Sequence, residues 1–136
     1  MKSKFFIVLI SIFCFNSLCA EDISIVAKEI SIDKDQNTTI FQKEVVVKTK
    51  NKTIKSNYVK YLKDDGLLIV KDDIEVLDDK GNTIEAEYAE YYEKEQILLT
   101  KGKTEILTVN KYFLNGEDIK VDNIKKKISS KKNSIL

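Results

Sequence analysis

A repeat of about thirty residues governs what this 136-residue chain can fold into. Val45, Ile74 and Thr104 correspond, and two positions on so do Val47, Val76 and Ile106. Ile54 aligns with Ile84. A small residue recurs at Ala27, Ser56, Ala86 and Gly116, followed three positions later by Ile30, Val59, Ala89 and Ile119, and two after that by Ile32, Tyr61, Tyr91 and Val121. A fixed spacing of this size marks a stacked architecture, in which each unit buries its apolar face against the next.

Inside each unit the apolar residues alternate. Leu68, Val70, Ile74 and Val76 share one parity, and Ile84, Ala86 and Tyr88 alternate with Glu85 and Glu87. Successive strand side chains point to opposite faces, so this pattern predicts one apolar and one charged face. Lys50-Asn51-Lys52, Asp64-Asp65-Gly66 and Asp79-Lys80-Gly81-Asn82 are turn signals between such runs. Residues 84–96 contain good helix formers. The aligned stretches 54–61 and 113–121 carry β-branched residues, Asn and Gly, so the unit as a whole reads as strand. An all-β chain follows, with strands expected over 23–32, 39–48, 54–62, 67–77, 84–92, 97–109 and 112–121. Gly102 occupies the place of Lys43 and Asp72, where a bulge or kink is expected.

Residues 1–20 read as a secretory signal peptide cleaved after Ala20: Lys2 and Lys4, an apolar run over 5–15, then a small residue at the cut. The run is shorter than the ~20 residues a spanning helix needs; a retained anchor is the alternative. Both cysteines, Cys14 and Cys19, lie in this leader, so the secreted chain has no thiol and no disulfide to form. Cleavage removes two lysines and no acids, taking the net charge from +1 to −1. A nearly neutral chain is not expected to bind nucleic acid. A single domain is expected over 21–124. The lysine-rich residues 125–136 read as a disordered, solubilising tail, with contact to anionic lipid or phosphate as the alternative.

No residue set points to catalysis. The chain has no histidine, which excludes a Ser-His-Asp or Cys-His group and leaves only carboxylates for a metal. Gly66, Gly81, Gly102 and Gly116 are isolated, so no phosphate loop is present. The pairs Asp64-Asp65, Asp72-Asp73 and Asp78-Asp79 read as solvated turn and outer-face charges. Tyr58, Tyr61, Tyr88, Tyr91 and Tyr92 read as cross-strand packing. No enzyme activity, cofactor or metal is expected.

The steps Lys43-Glu44-Val45-Val46-Val47, Asp72-Asp73-Ile74-Glu75-Val76 and Gly102-Lys103-Thr104-Glu105-Ile106 look like a recurring "G-N-V-x-V" step. Residues 53–61 and 83–91 look like an "x-I-x-A-x-x-A-x-Y" step. With the leader, these make the chain resemble the OstA-like lipopolysaccharide-transport proteins, and most of all the periplasmic bridge protein of that family. Only Gly102 keeps the glycine of the first step, and Gly116 replaces the alanine of the second. The resemblance implies a twisted, incompletely closed β-jelly roll of V-shaped section, a β-taco. It also implies a periplasmic location and a carrier or bridge role, with the acyl chains of lipopolysaccharide in an apolar groove. Partners would be the other jelly-roll proteins of that system in the inner and outer membranes, and further copies joined head to tail. A free-standing copy of the domain that precedes the outer-membrane assembly barrel is a variant of this reading, as is an inner-membrane-anchored member. A secreted β-solenoid that polymerises without lipid is the reading from another class.

On that basis the candidate groove residues are Phe41, Val45, Val47, Ile54, Leu68, Val70, Ile74, Val76, Ile84, Leu98 and Ile106. A closed, dry core would require the same alternation. Candidate edge-strand assembly residues are Ile23, Ile25, Ile30 and Ile32 at one end and Phe113, Ile119 and Val121 at the other.

Overall fold

The computed structural model describes residues 23–130, so the expected leader lies outside it, as do the last six residues. The described residues form one antiparallel sheet of ten strands. They are β1 (Ser24–Val26), β2 (Glu29–Asp33), β3 (Thr38–Lys48), β4 (Lys52–Leu62) and β5 (Leu67–Asp78), then β6 (Thr83–Tyr92), β7 (Ile97–Leu107), β8 (Phe113–Glu117), β9 (Ile119–Asp122) and β10 (Lys127–Ser130). Strands β3 to β7 pair in chain order. β1 and β2 share β3 at one end; β8 and β9 share β7 at the other, and β10 lies outside β9. The helix formers of residues 84–92 lie in β6, because backbone pairing on both sides outweighs local propensity.

The long strands are bent at a common level. Pairing slips by one residue between Gln42 and Val45, between Lys71 and Ile74, and between Ala86 and Tyr88 opposite β7. At those points the backbone turns left-handed: φ is 65° and 51° at Lys43 and Glu44, 66° and 54° at Asp72 and Asp73, and 79° at Gly102. An extra residue in one strand of a pair bends it and increases its twist. The expected bulge at Gly102 is therefore present, and it recurs at Lys43 and Asp72. Stacked side by side, the bends fold the sheet into two arms. The first arm carries β2, β9 and β10 with residues 38–42, 58–62, 67–71, 88–92 and 97–101. The second carries β1 and β8 with residues 45–48, 52–56, 74–78, 83–86 and 104–107.

The end strands are cut at the same level. β1 gives way to β2 where the Lys28 amide donates to the Lys43 carbonyl at 3.0 Å. β8 gives way to β9 at Asp118, whose Oδ1 accepts from the Gly102 amide at 2.9 Å. The single strand expected over 112–121 is thus two. β10 lies within the stretch read as a disordered tail, and its residues Lys127 to Ser130 pair with β9. Its one apolar residue is Ile128, so a lysine-rich sequence does not advertise the pairing.

The two arms enclose one apolar core. Its alternation is uneven. On β4 the buried positions pass from Ser56 to Val59, and on β6 from Ala86 to Ala89, so both strands change parity at the corner. Tyr88, expected inside with Ala86, therefore points outward and is half-buried, while Ala89 and Tyr91 take the interior.

Candidate functional site

The interior is lined by rows of side chains that run across the strands. On the first arm Ile30, Phe41, Val59, Val70, Ala89 and Thr100 are successive cross-strand partners. A parallel row runs through Ile32, Thr39, Tyr61, Leu68, Tyr91, Leu98, Val121 and Ile128. On the second arm the row is Ile25, Val47, Ile54, Val76, Ile84, Ile106 and Leu114. The second of these rows is buried in the middle and emerges at both ends: Leu68 and Leu98 are 0% exposed, but Ile32 is 69% and Ile128 47%. The first emerges only at Ile30, since Thr100 is buried, and the second-arm row ends at the half-buried Ile25 and Leu114.

All the candidate groove residues belong to this interior. Phe41, Val45, Val47, Ile54, Leu68, Val70, Ile74, Val76, Ile84, Leu98 and Ile106 pack in one cluster and are all buried. Val59, Ala89 and Tyr91 belong to the same cluster and are absent from the sequence-derived set. The signal that finds them is the repeat itself: they occupy the columns three and five residues after the small residues Ser56 and Ala86. Two threonines are also inside. Thr100 and Thr104 share a hydrogen bond at 2.7 Å across the Gly102 bend, and Thr100 Oγ1 accepts from the Ile119 amide at 2.9 Å.

The edges divide the assembly candidates. β1 and β2 pair only with β3, so their outer sides are free among the described residues. Ile23 and Ile25 pack against the core, while Ile30 and Ile32 stand exposed. At the other end Phe113 is exposed on β8. Ile119 and Val121 are not edge residues: they are buried in β9, which is flanked by β7 and covered by β10. Among the described residues, β8 and β10 are the free edges there.

The two arms meet at a rim. Asn51, in the turn before β4, donates through Nδ2 to Oε1 of Gln96, in the turn after β6, at 3.0 Å. Beside them the ammonium of Lys52 lies 5.2 Å from the centre of the Tyr91 ring. Both side chains are buried, Lys52 to 4% exposure and Tyr91 to 0%. Further along, the β5–β6 turn and the β9–β10 hairpin flank a cavity of about 170 Å³ lined by Asp78, Asn82, Val121, Asn123 and Lys127 among others.

The outer face is charged, but it is also partly aromatic. Tyr58, Lys71, Tyr88 and Lys101 are successive partners across β4 to β7. Lys71 lies over Tyr58 at 5.5 Å and Lys101 over Tyr88 at 5.2 Å, a cation–π ladder along the bend. Tyr88 and Tyr92 both donate to the Glu90 carboxylate, at 2.9 and 3.0 Å. Burial, then the hydrogen bond and charge of Glu90, push the Tyr88 phenol up to about 12. Tyr61 is also pushed up to about 12, by burial first and then by the Glu93 charge and hydrogen bond. On the second arm Glu75, Glu85 and Glu105 stand directly opposite one another. Among the described residues no group of three or more acidic, histidine or cysteine side chains is arranged to hold a metal ion.

This fold has a solved counterpart. The structure superposes with a TM-score of 0.72 on LptH from Pseudomonas aeruginosa, described as the LptA-homologous periplasmic component of the conserved lipopolysaccharide transport device. The chain has the LptH fold. The match covers 85% of this chain and 90% of that one, at 12% identity. No protein-family model matches the sequence, and no curated protein matches it. The similarity therefore lives in the backbone: an all-β, incompletely closed jelly roll.

Proposed function

We propose that the chain is a non-enzymatic periplasmic carrier that bridges lipopolysaccharide from the inner to the outer membrane. Its acyl chains lie along the interior rows, and copies or related jelly rolls join edge to edge. The observation that carries this reading is the row that crosses the whole stack and surfaces at both of its ends, at Ile32 and Ile128. A row that ended inside the protein would serve packing alone. One that emerges can be continued by a neighbour. Each methylene withdrawn from water is worth about 0.8 kcal/mol, so an acyl chain needs such a continuous cover to cross an aqueous space. The LptH fold supports the same reading, as does the sequence resemblance.

The outer sides of β1 and β2 and of β8 and β10, free among the described residues, supply unpaired backbone groups for strand addition. Strand addition would align the rows of adjacent copies. A second reading is favoured by the packing of the interior, whose central side chains are fully buried: a β-module that polymerises through these edges without lipid.

Mass spectrometry of lipids that co-purify with residues 21–136 from the native envelope separates the two. Lipopolysaccharide in near-stoichiometric amount is the expected result. Ordered filaments free of lipid overturn the carrier reading in favour of the polymer.

A further inference from the structure

The geometry points to a releasable seam between the two arms as the route by which an acyl chain enters the interior sideways, with Asn51, Lys52, Tyr91 and Gln96 as its latch. This rests on the carrier reading above and names how that site is loaded.

A flat strand as long as β6 would hold its ends about 30 Å apart. Asn51 and Gln96, 45 residues apart and in turns at opposite ends of the sheet, are nonetheless hydrogen-bonded at 3.0 Å. The fold at the bends has brought those turns together. The contacts that close the rim differ in kind from those that hold the sheet. Every ladder pair joins strands adjacent within an arm, so parting the rim breaks no ladder hydrogen bond. It breaks the Asn51–Gln96 side-chain bond and the Lys52–Tyr91 contact at 5.2 Å, and it uncovers apolar surface that the two arms bury against each other and that an entering acyl chain covers in turn. Both polar contacts involve groups that water hydrates well once they are released.

A third observation lies further along the same rim. The Asn123 Nδ2 donor is buried and has no acceptor among the described residues. It lines the cavity between the β5–β6 turn and the β9–β10 hairpin. Its backbone amide donates to the Gln96 carbonyl, at 3.2 Å, so it is tied to the latch. An unsatisfied buried donor costs stability when the rim is shut and gains a partner when water reaches it. The left-handed bends at Lys43-Glu44, Asp72-Asp73 and Gly102 are the points about which the arms turn. A linear apolar interior behind a polar lip suits a linear apolar guest with a hydrated head.

The test uses the chain with Cys14→Ser and Cys19→Ser, carrying Asn51→Cys and Gln96→Cys. A short bis-methanethiosulfonate reagent links the two thiols, and dithiothreitol releases them. Uptake of dansyl-undecanoic acid is followed by stopped-flow fluorescence. Linkage is expected to slow uptake by about ten-fold or more, with recovery on reduction, as for any gated site. Conversely, Asn51→Ala with Lys52→Ala is expected to speed it by about ten-fold, since it removes one hydrogen bond and one cation–π contact. Equal rates in the linked and reduced protein overturn the seam and mean loading through the open ends, with the carrier reading intact. If the reduced protein takes up no probe, the carrier reading fails. The latch is then decided by spin labels at Lys50→Cys and Lys94→Cys: a distance distribution broadened by the two alanines supports it, and an unchanged one overturns it.

Discussion

Ile30→Glu combined with Ile32→Glu should leave the fold standing and abolish both assembly and lipid carriage. Both side chains lie on the interior-facing rows at the first edge, where Ile30 is 55% and Ile32 69% exposed. Complete burial of an isoleucine is worth about 1.5–3 kcal/mol, and these two realise less than half of it, so the double change costs about 1–2 kcal/mol. A typical domain is stable by about 5–15 kcal/mol and survives that loss. The contrast is Ile74→Asp. Ile74 is 2% exposed, so the change forfeits its whole transfer energy and buries an unpaired carboxylate. The cost is about 5 kcal/mol or more, enough to unfold the domain. Ile74→Asp thus reports on folding, and the Ile30/Ile32 variant on continuity of the rows. Urea denaturation measures the first effect. Sedimentation velocity and mass spectrometry of bound lipid measure the second. A folded double variant that assembles and carries lipid like the wild type would refute the claim that the rows continue from one copy to the next.

Gly102→Ala should destabilise by about 1 kcal/mol, since a Cβ there meets no atom within 4 Å and only the φ of 79° opposes it; thermal unfolding measures this. Thr100→Val should cost about 1–3 kcal/mol in chemical denaturation and speed hydrogen exchange at the Ile119 amide, which loses its 2.9 Å acceptor. Tyr61 and Tyr88, near 10 when unfolded, rise to about 12 in the fold, so the folded state holds more protons than the unfolded one between those values. Stability should therefore be intact below pH 10 and fall from pH 10 to 12, and Tyr61→Phe with Tyr88→Phe should flatten that decline in urea titrations. An absorbance titration in which all tyrosines ionise near pH 10 would contradict this.

Much of the interior was legible because side-chain alternation is a local consequence of extended backbone. Val45, Val47, Ile54, Val76 and Ile84 follow from parity alone, and each lies inside. Val59, Ala89 and Tyr91 escaped because β4 and β6 change parity at a bend, and simple alternation carried past Ala86 puts Tyr88 on the wrong face. Ile119 and Val121 were read as an edge because β10 has a single apolar residue, Ile128, in a lysine-rich stretch, too little to show an alternation.

The sequence by itself determined that the chain is all-β, that its strands come in thirty-residue units, and which side of each strand is apolar, since these depend on residue type and a spacing of two. Only the tertiary structure decided that the second arm closes over the first and that Asn51 finds Gln96 and Lys52 finds Tyr91. Those pairings depend on the angle of each bend and on twist summed across several strands, quantities set by left-handed backbone at Lys43, Asp72 and Gly102 and invisible in any single unit.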